Sequence, residues 1–197
     1  MRLLLILLIS LISIVSKAQM HMDHMSKPKQ VYLVMMDDMM KKMDAAGMTK
    51  SADVDFTKMM LPHHHGAVAM AKYEIAHGKN FGMIQLAKSI LAEQQIDIQQ
   101  MKLWLAQNRT AKFPANTLYQ KPLMLTMDVM MQHMPPEKQL TDNDKAFAAV
   151  MIPHHQAAID MAKVELAYGT DKSAKRLAEN IISAEKVELE QMRLYNK

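Results

Sequence analysis

Cysteine is absent from this 197-residue chain. That excludes disulfides, thiolate zinc sites, cysteine-bound iron–sulfur clusters and cysteine nucleophiles. Glycine is scarce, with 5 residues against 7 prolines, so turn-formers are too few for a β-rich fold. Aromatics make up 5% of the residues, with one tryptophan. No apolar run reaches the roughly 20 residues that a membrane-spanning helix needs. No Lys/Arg cluster is interleaved with aromatics, which removes the usual footprint of nucleic-acid binding. No nucleophile–base arrangement or phosphate-binding loop occurs, so turnover chemistry is not expected. Half the residues are apolar, enough for one sizeable core or two small ones at about 100–200 residues per domain.

The excess is in methionine, with 23 residues, joined by 9 histidines. An ordinary core does not require that many flexible thioethers. The chain opens with MRLLLILLISLISIVSKA. Arg2, the apolar run from Leu3 to Val15 and the small residues Ser16 and Ala18 form the three-part pattern of a secretory signal peptide over residues 1–18. The expected mature protein is exported into the periplasm and free of membrane. Without Arg2 and Lys17, 22 basic residues face 20 acidic ones, a balance of +2. The new N-terminus, QMHMDHM, packs three Met with His21 and His24 and has no apolar periodicity. Residues 19–30 are therefore expected to form a flexible arm that catches metal ions.

The rest of the chain is a duplication. At an offset of 91 residues, MMLPHHHGAVAMAKYEIAHG (59–78) lies over VMIPHHQAAIDMAKVELAYG (150–169), and 17 of the 45 positions from Met60 to Trp104 are identical. Upstream, Met36, Met39, Met40 and Met43 match Met127, Met130, Met131 and Met134. The expected units are 31–105 and 122–197, joined by a linker at 106–121 and packed as one domain. Each reads as three helices. The first is short and Met-rich, near 36–43 in the first unit. The second starts after Ser51–Asp53 or Thr141–Asp144 and ends at Gly78 or Gly169. The third spans about 81–105 or 172–194. Two long hairpins related by a pseudo-twofold axis give an all-α four-helix bundle, with the Met helices packed on it.

The sharpest feature is Pro-His-His in the same place in both units. Pro62 and Pro153 fall inside helical pattern, where each removes one backbone hydrogen bond and should kink the helix. His63, His64, His154 and His155 follow. Met60 and Met151 lie one turn earlier, so a thioether and an imidazole can face one ion. Met70 and Met161 continue the stripe about 10 Å further on. The third helices offer Gln94, Asp97 and Met101, matched by Glu185, Glu188 and Met192. Polar groups in an apolar stripe are costly unless paired or metal-bound. Glu74 and Glu165 share the His63/His154 face and are candidates to pair with Lys72, Lys163 or other lysines. His77 and His133 read as ordinary surface histidines. Thioethers select Cu(I), and imidazole suits both copper states. Zinc gains little from Met, and iron bundles use a Glu-x-x-His on each of two helices, whereas here it occurs once, at Glu74–His77, with Tyr168 at the mirror position. The donor set thus points to copper, Cu(I) first and Cu(II) as well, with Ag(I) as a mimic.

The segments Met151–Ala162 and Met60–Ala71, together with Gln94, Asp97, Met101 and Trp104 and their weaker counterparts Glu185, Glu188, Met192 and Tyr195, resemble the CopM-type family of exported bacterial proteins. The resemblance implies a ferritin-like fold, copper binding, and a role in metal tolerance or delivery to a copper donor or acceptor protein. The chain departs from the family pattern at His65–Gly66 and at Asp97. Two rival readings remain at this stage: a ferritin-like metal oxidase using Glu185, Glu188 and the His pairs, and a helical interaction module whose methionines are core.

Overall fold

A computed structural model describes residues 28–195. Within them lie six α-helices and no strand: α1 (Pro28–Ala46), α2 (Ala52–His77), α3 (Phe81–Gln107), α4 (Gln120–Gln132), α5 (Asn143–Tyr168) and α6 (Lys172–Tyr195), with a 3-10 turn at Glu137–Gln139. The signal segment 1–18 and the Met/His stretch with His21 and His24 lie outside the described residues. Among the described residues no helix is long and apolar enough to cross a membrane.

The helix starts follow from capping. Ser51 accepts from the Val54 N–H at 3.3 Å, and Asp142 from the Lys145 N–H at 2.9 Å. Each satisfies an amide that the first helical turn leaves open. The helices end where expected, at Gly78 and Gly169. Gly78 and Gly169 close α2 and α5 with φ of −64° and −67°, so neither is needed for a left-handed cap. A Cβ at either position would lie 2.7 Å from a backbone carbonyl and closer still to the Glu74 or Glu165 carboxyl. Glycine is there to let a buried glutamate fold back over the helix end. Pro62 and Pro153 lie within α2 and α5, and both helices run on through them.

Helices α2, α3, α5 and α6 form a closed ring in which α2 packs on α3 and α5, and α6 on α5 and α3. Helices α2 and α5 are antiparallel: Asp53 at the start of α2 meets Thr170 past the end of α5, and Lys79 past the end of α2 meets Asp144 at the start of α5. α1 lies across α2 and α5, and α4 against α5. The two Met helices are unequal. α1 has 19 residues and begins at Pro28, inside the stretch expected to be arm; α4 has 13 and begins inside the expected linker. Met36, Met39 and Met43 of α1, and Met127 and Met130 of α4, are buried in one common core, with Met40 half-buried against it. The linker is tied down where it meets α4. Asn116 N–H donates to the Lys50 carbonyl at 2.8 Å, and the fully buried Tyr119 gives its hydroxyl to Asp55.

Candidate metal centre

His63 and His154 each sit midway along a 26-residue helix, so the antiparallel crossing of α2 and α5 brings them face to face. Their ring centroids are 3.7 Å apart at 32°. His154 Nε2 donates to the His63 carbonyl oxygen at 3.2 Å. A carbonyl can only accept, so this nitrogen carries the proton and Nδ1 keeps its lone pair. One layer away, the third helices meet at the matching position: Gln94 Nε2 donates to Glu185 Oε1 at 2.7 Å. Both pairs join residues 91 apart, so the pseudo-twofold axis passes through both.

The next residues flank the axis. His155 Nε2 lies 2.8 Å from Glu188 Oε2, and His64 Nε2 lies 3.4 Å from Asp97 Oδ2. The shorter aspartate reaches less far. All four histidines are wholly buried, yet both ring nitrogens of His63 and Nδ1 of His64, His154 and His155 have no hydrogen-bond partner. Unpartnered buried nitrogens are costly, and a histidine whose other nitrogen is held by a carboxylate is the usual posture of a metal ligand. Burial, followed by the charge of neighbouring histidines, holds the pKa of His63 and His154 well below the usual value. Their lone pairs are therefore free at neutral pH. Burial also pulls His155 down, but the carboxylates of Glu185, Glu188 and Glu93 outweigh it and leave its pKa raised.

Met60, Met70, Met101, Met151, Met161 and Met192 are all fully buried and belong to one hydrophobic core. Among the described residues, no three or more His, Asp or Glu side chains already converge as a metal cage. The centre instead offers His–carboxylate pairs and free imidazole nitrogens in a bundle whose core is rich in methionine. That donor chemistry fits a soft ion with few ligands.

Glu74 and Glu165 do not pair with Lys72 or Lys163. Both carboxyls are fully buried, whereas Lys163 lies at the surface against Asp160. Glu74 accepts from the Tyr32 hydroxyl at 3.0 Å and from Asn143 Nδ2 at 3.3 Å. Glu165 has no partner on either oxygen. His77 and His133 are exposed, each donating from Nδ1 to the carbonyl four residues back.

Sequence reasoning missed three contributors. Glu93, half-buried beside Glu188, has no counterpart in the repeat, where Ala184 stands. Asp53 and Asp144 were visible only as helix-start residues. Each also crosses to the other unit, Asp53 taking the N–H groups of Thr170 and Asp171 and Asp144 those of Lys79 and Asn80. Their identity at an offset of 91 was the available signal.

The family described as Domain of unknown function (DUF305) matches residues 10–105 and again 53–195. Among solved structures, CopM in its Cu(I)-bound form is 27% identical with a TM-score of 0.56, over 76% of this chain and 96% of that one. CopM in an Ag-bound form is 26% identical with a TM-score of 0.55, over 75% and 96%. A DUF305 protein from Streptomyces coelicolor is 24% identical with a TM-score of 0.57, over 74% and 91%. A comparison with functionally curated proteins gives no match.

Proposed function

As the chain belongs to the DUF305 family, and its similar structures include CopM with Cu(I) and with Ag bound, we propose that it is an exported protein that binds copper within the bundle. The observation that carries this reading is the set of unpartnered nitrogens on four wholly buried histidines. His63, His64, His154 and His155 serve as principal ligands, and Met60, Met101, Met151 and Met192 as soft donors. Met70 and Met161 extend the thioether path along the same helices. Gln94, Asp97, Glu185 and Glu188 orient the rings or add oxygen donors. The Met/His stretch with His21 and His24 collects ions for the bundle. The protein sequesters copper or hands it to a donor or acceptor protein in metal tolerance, and it does not turn over a substrate.

The test is a Cu(I) titration of the untagged chain from Gln19, free of oxygen, against a competing chelator. Two or more tight ions are expected, with fewer in His154→Ala/His155→Ala. Unchanged stoichiometry in that variant overturns the ligand assignment. Steady oxygen consumption with Cu(I) or Fe(II) would make the protein an oxidase.

A further inference from the structure

An open groove of about 760 Å³ runs between α2 and α3 on the outside of the first unit. Val68 of α2 and Ala92 and Ile96 of α3 give it an apolar floor, and Ile96 is 57% exposed. Lys72 stands on the α2 wall, one turn beyond Val68, and Lys102 on the α3 wall; no carboxylate lines the groove. Among the described residues the lysine ion pairs are Lys42–Asp38, Lys145–Asp142 and Lys163–Asp160, so Lys72 and Lys102 have none. His65 lines the same groove, one residue after the buried His64, and Lys102, Lys42 and Lys72 all act on its ring. The second unit keeps the helices but balances the charge. Asp160, where the first unit has Ala69, holds Lys163 at 2.7 Å and accepts from Gln156, the mirror of His65, at 3.2 Å. Glu190 stands at the mirror of Gln99, so two acids face the three bases Lys163, Lys186 and Arg193.

We propose that this groove docks an acidic amphipathic helix of a partner protein, with an aliphatic residue on Val68 and Ile96 and carboxylates toward Lys72 and Lys102. A helix laid in a groove uses an apolar stripe for affinity. Complementary charge at the rim sets partner choice and speeds encounter. Both requirements are met here, and no acid in the lining repels such a partner. A flat anionic membrane would reach the two lysines but not the floor between the helices. The partner's role rests on the copper reading above: docked here, it gives or takes copper beside His65, the exposed neighbour of His64.

The test uses the whole metal-free chain from Gln19 and fluorescence anisotropy. The probe is a fluorescein-labelled, alanine-based helical peptide with a leucine stripe flanked by glutamates; its control carries lysine in place of glutamate. The glutamate peptide is expected to bind, more weakly as salt rises, and the lysine peptide not to bind. Lys72→Glu/Lys102→Glu should weaken binding at least about tenfold. Ala69→Asp/Gln99→Glu, which copies the acids of the second unit onto the first, should also weaken it at least about tenfold. Lys163→Glu/Arg193→Glu, at the mirror positions, should leave it within about twofold. Equal binding of the two peptides, equal losses at both grooves, or no binding by the parent chain overturns the proposal. So does capture of phosphatidylglycerol vesicles without capture of the peptide, which would make the groove a membrane contact. Because metal is left out, failure of the Cu(I) titration overturns the copper reading alone and leaves the preference for an acidic helix standing.

Discussion

Glu165 has a mirror residue in Glu74, and the two environments differ at single side chains. Glu74 is held by the Tyr32 hydroxyl and Asn143. The positions that would serve Glu165 are Leu123 and Ala52, both buried and apolar. Burial, then repulsion from Asp53, pushes the Glu165 carboxyl up to about 9 from the ordinary 4.5; Asp171 and Lys175 also face it. Between those two values the folded chain keeps a proton that the unfolded chain has lost. Stability therefore falls as pH rises through this window, by at most about 1.4 kcal/mol per pH unit for this group, and levels above about 9. Glu165→Gln should flatten that slope and raise stability at pH 8, as read from urea midpoints across pH. A pH profile identical to the parent's would mean that Glu165 is ionised in the fold. Helix-face arithmetic suggested a lysine partner because it ranks neighbours on one helix. It carries no information on what the opposite unit places there.

At the scale of the element, the packing of α1 depends on one missing methyl. A Cβ at Gly66 would lie 2.8 Å from Met39 Sδ and 2.9 Å from Met39 Cγ. The second unit has Ala157 at that position, beneath the shorter α4. Gly66→Ala is expected to cost about 1–3 kcal/mol through overpacking, measured by denaturant unfolding, and Met39→Ala in the same chain should recover part of it. Helix identities were legible because Pro62, Gly78 and Ser51 recur with their mirrors at one offset. The lengths of α1 and α4 were less so. The methionine spacing gave their inner faces, but Pro28 opening α1 and Gln120 opening α4 are set by what the chain packs against. The geometry of the candidate site was partly legible: the repeat singled out the His pairs, but that His63 would stack on His154 required the antiparallel crossing.

For the whole molecule, the two units hold each other by their ends. Asp53 receives the N–H groups of Thr170 and Asp171, and Asp144 those of Lys79 and Asn80. Each unit thus caps the turn before the other's last helix. Asp53→Ala and Asp144→Ala should each cost about 1–3 kcal/mol, because two amides lose their acceptor. The clasps lie at opposite ends of α2, so the double variant should sum the single losses to within about 0.5 kcal/mol. Calorimetry at pH 5, where Glu165 retains its proton, separates this effect from the titration above. A strong departure from additivity would indicate that the ends communicate through the centre.

The contacts on the axis also depend on the two halves being unlike. In a dimer of identical half-length chains, every residue on the twofold axis faces a copy of itself. A glutamine there can bond to a glutamine, but a glutamate would confront a glutamate. Gln94 donating to Glu185 is a pairing that no such symmetric dimer could make. It is available only where the two halves carry different residues, and on the axis that difference gains a bond that exact symmetry forbids.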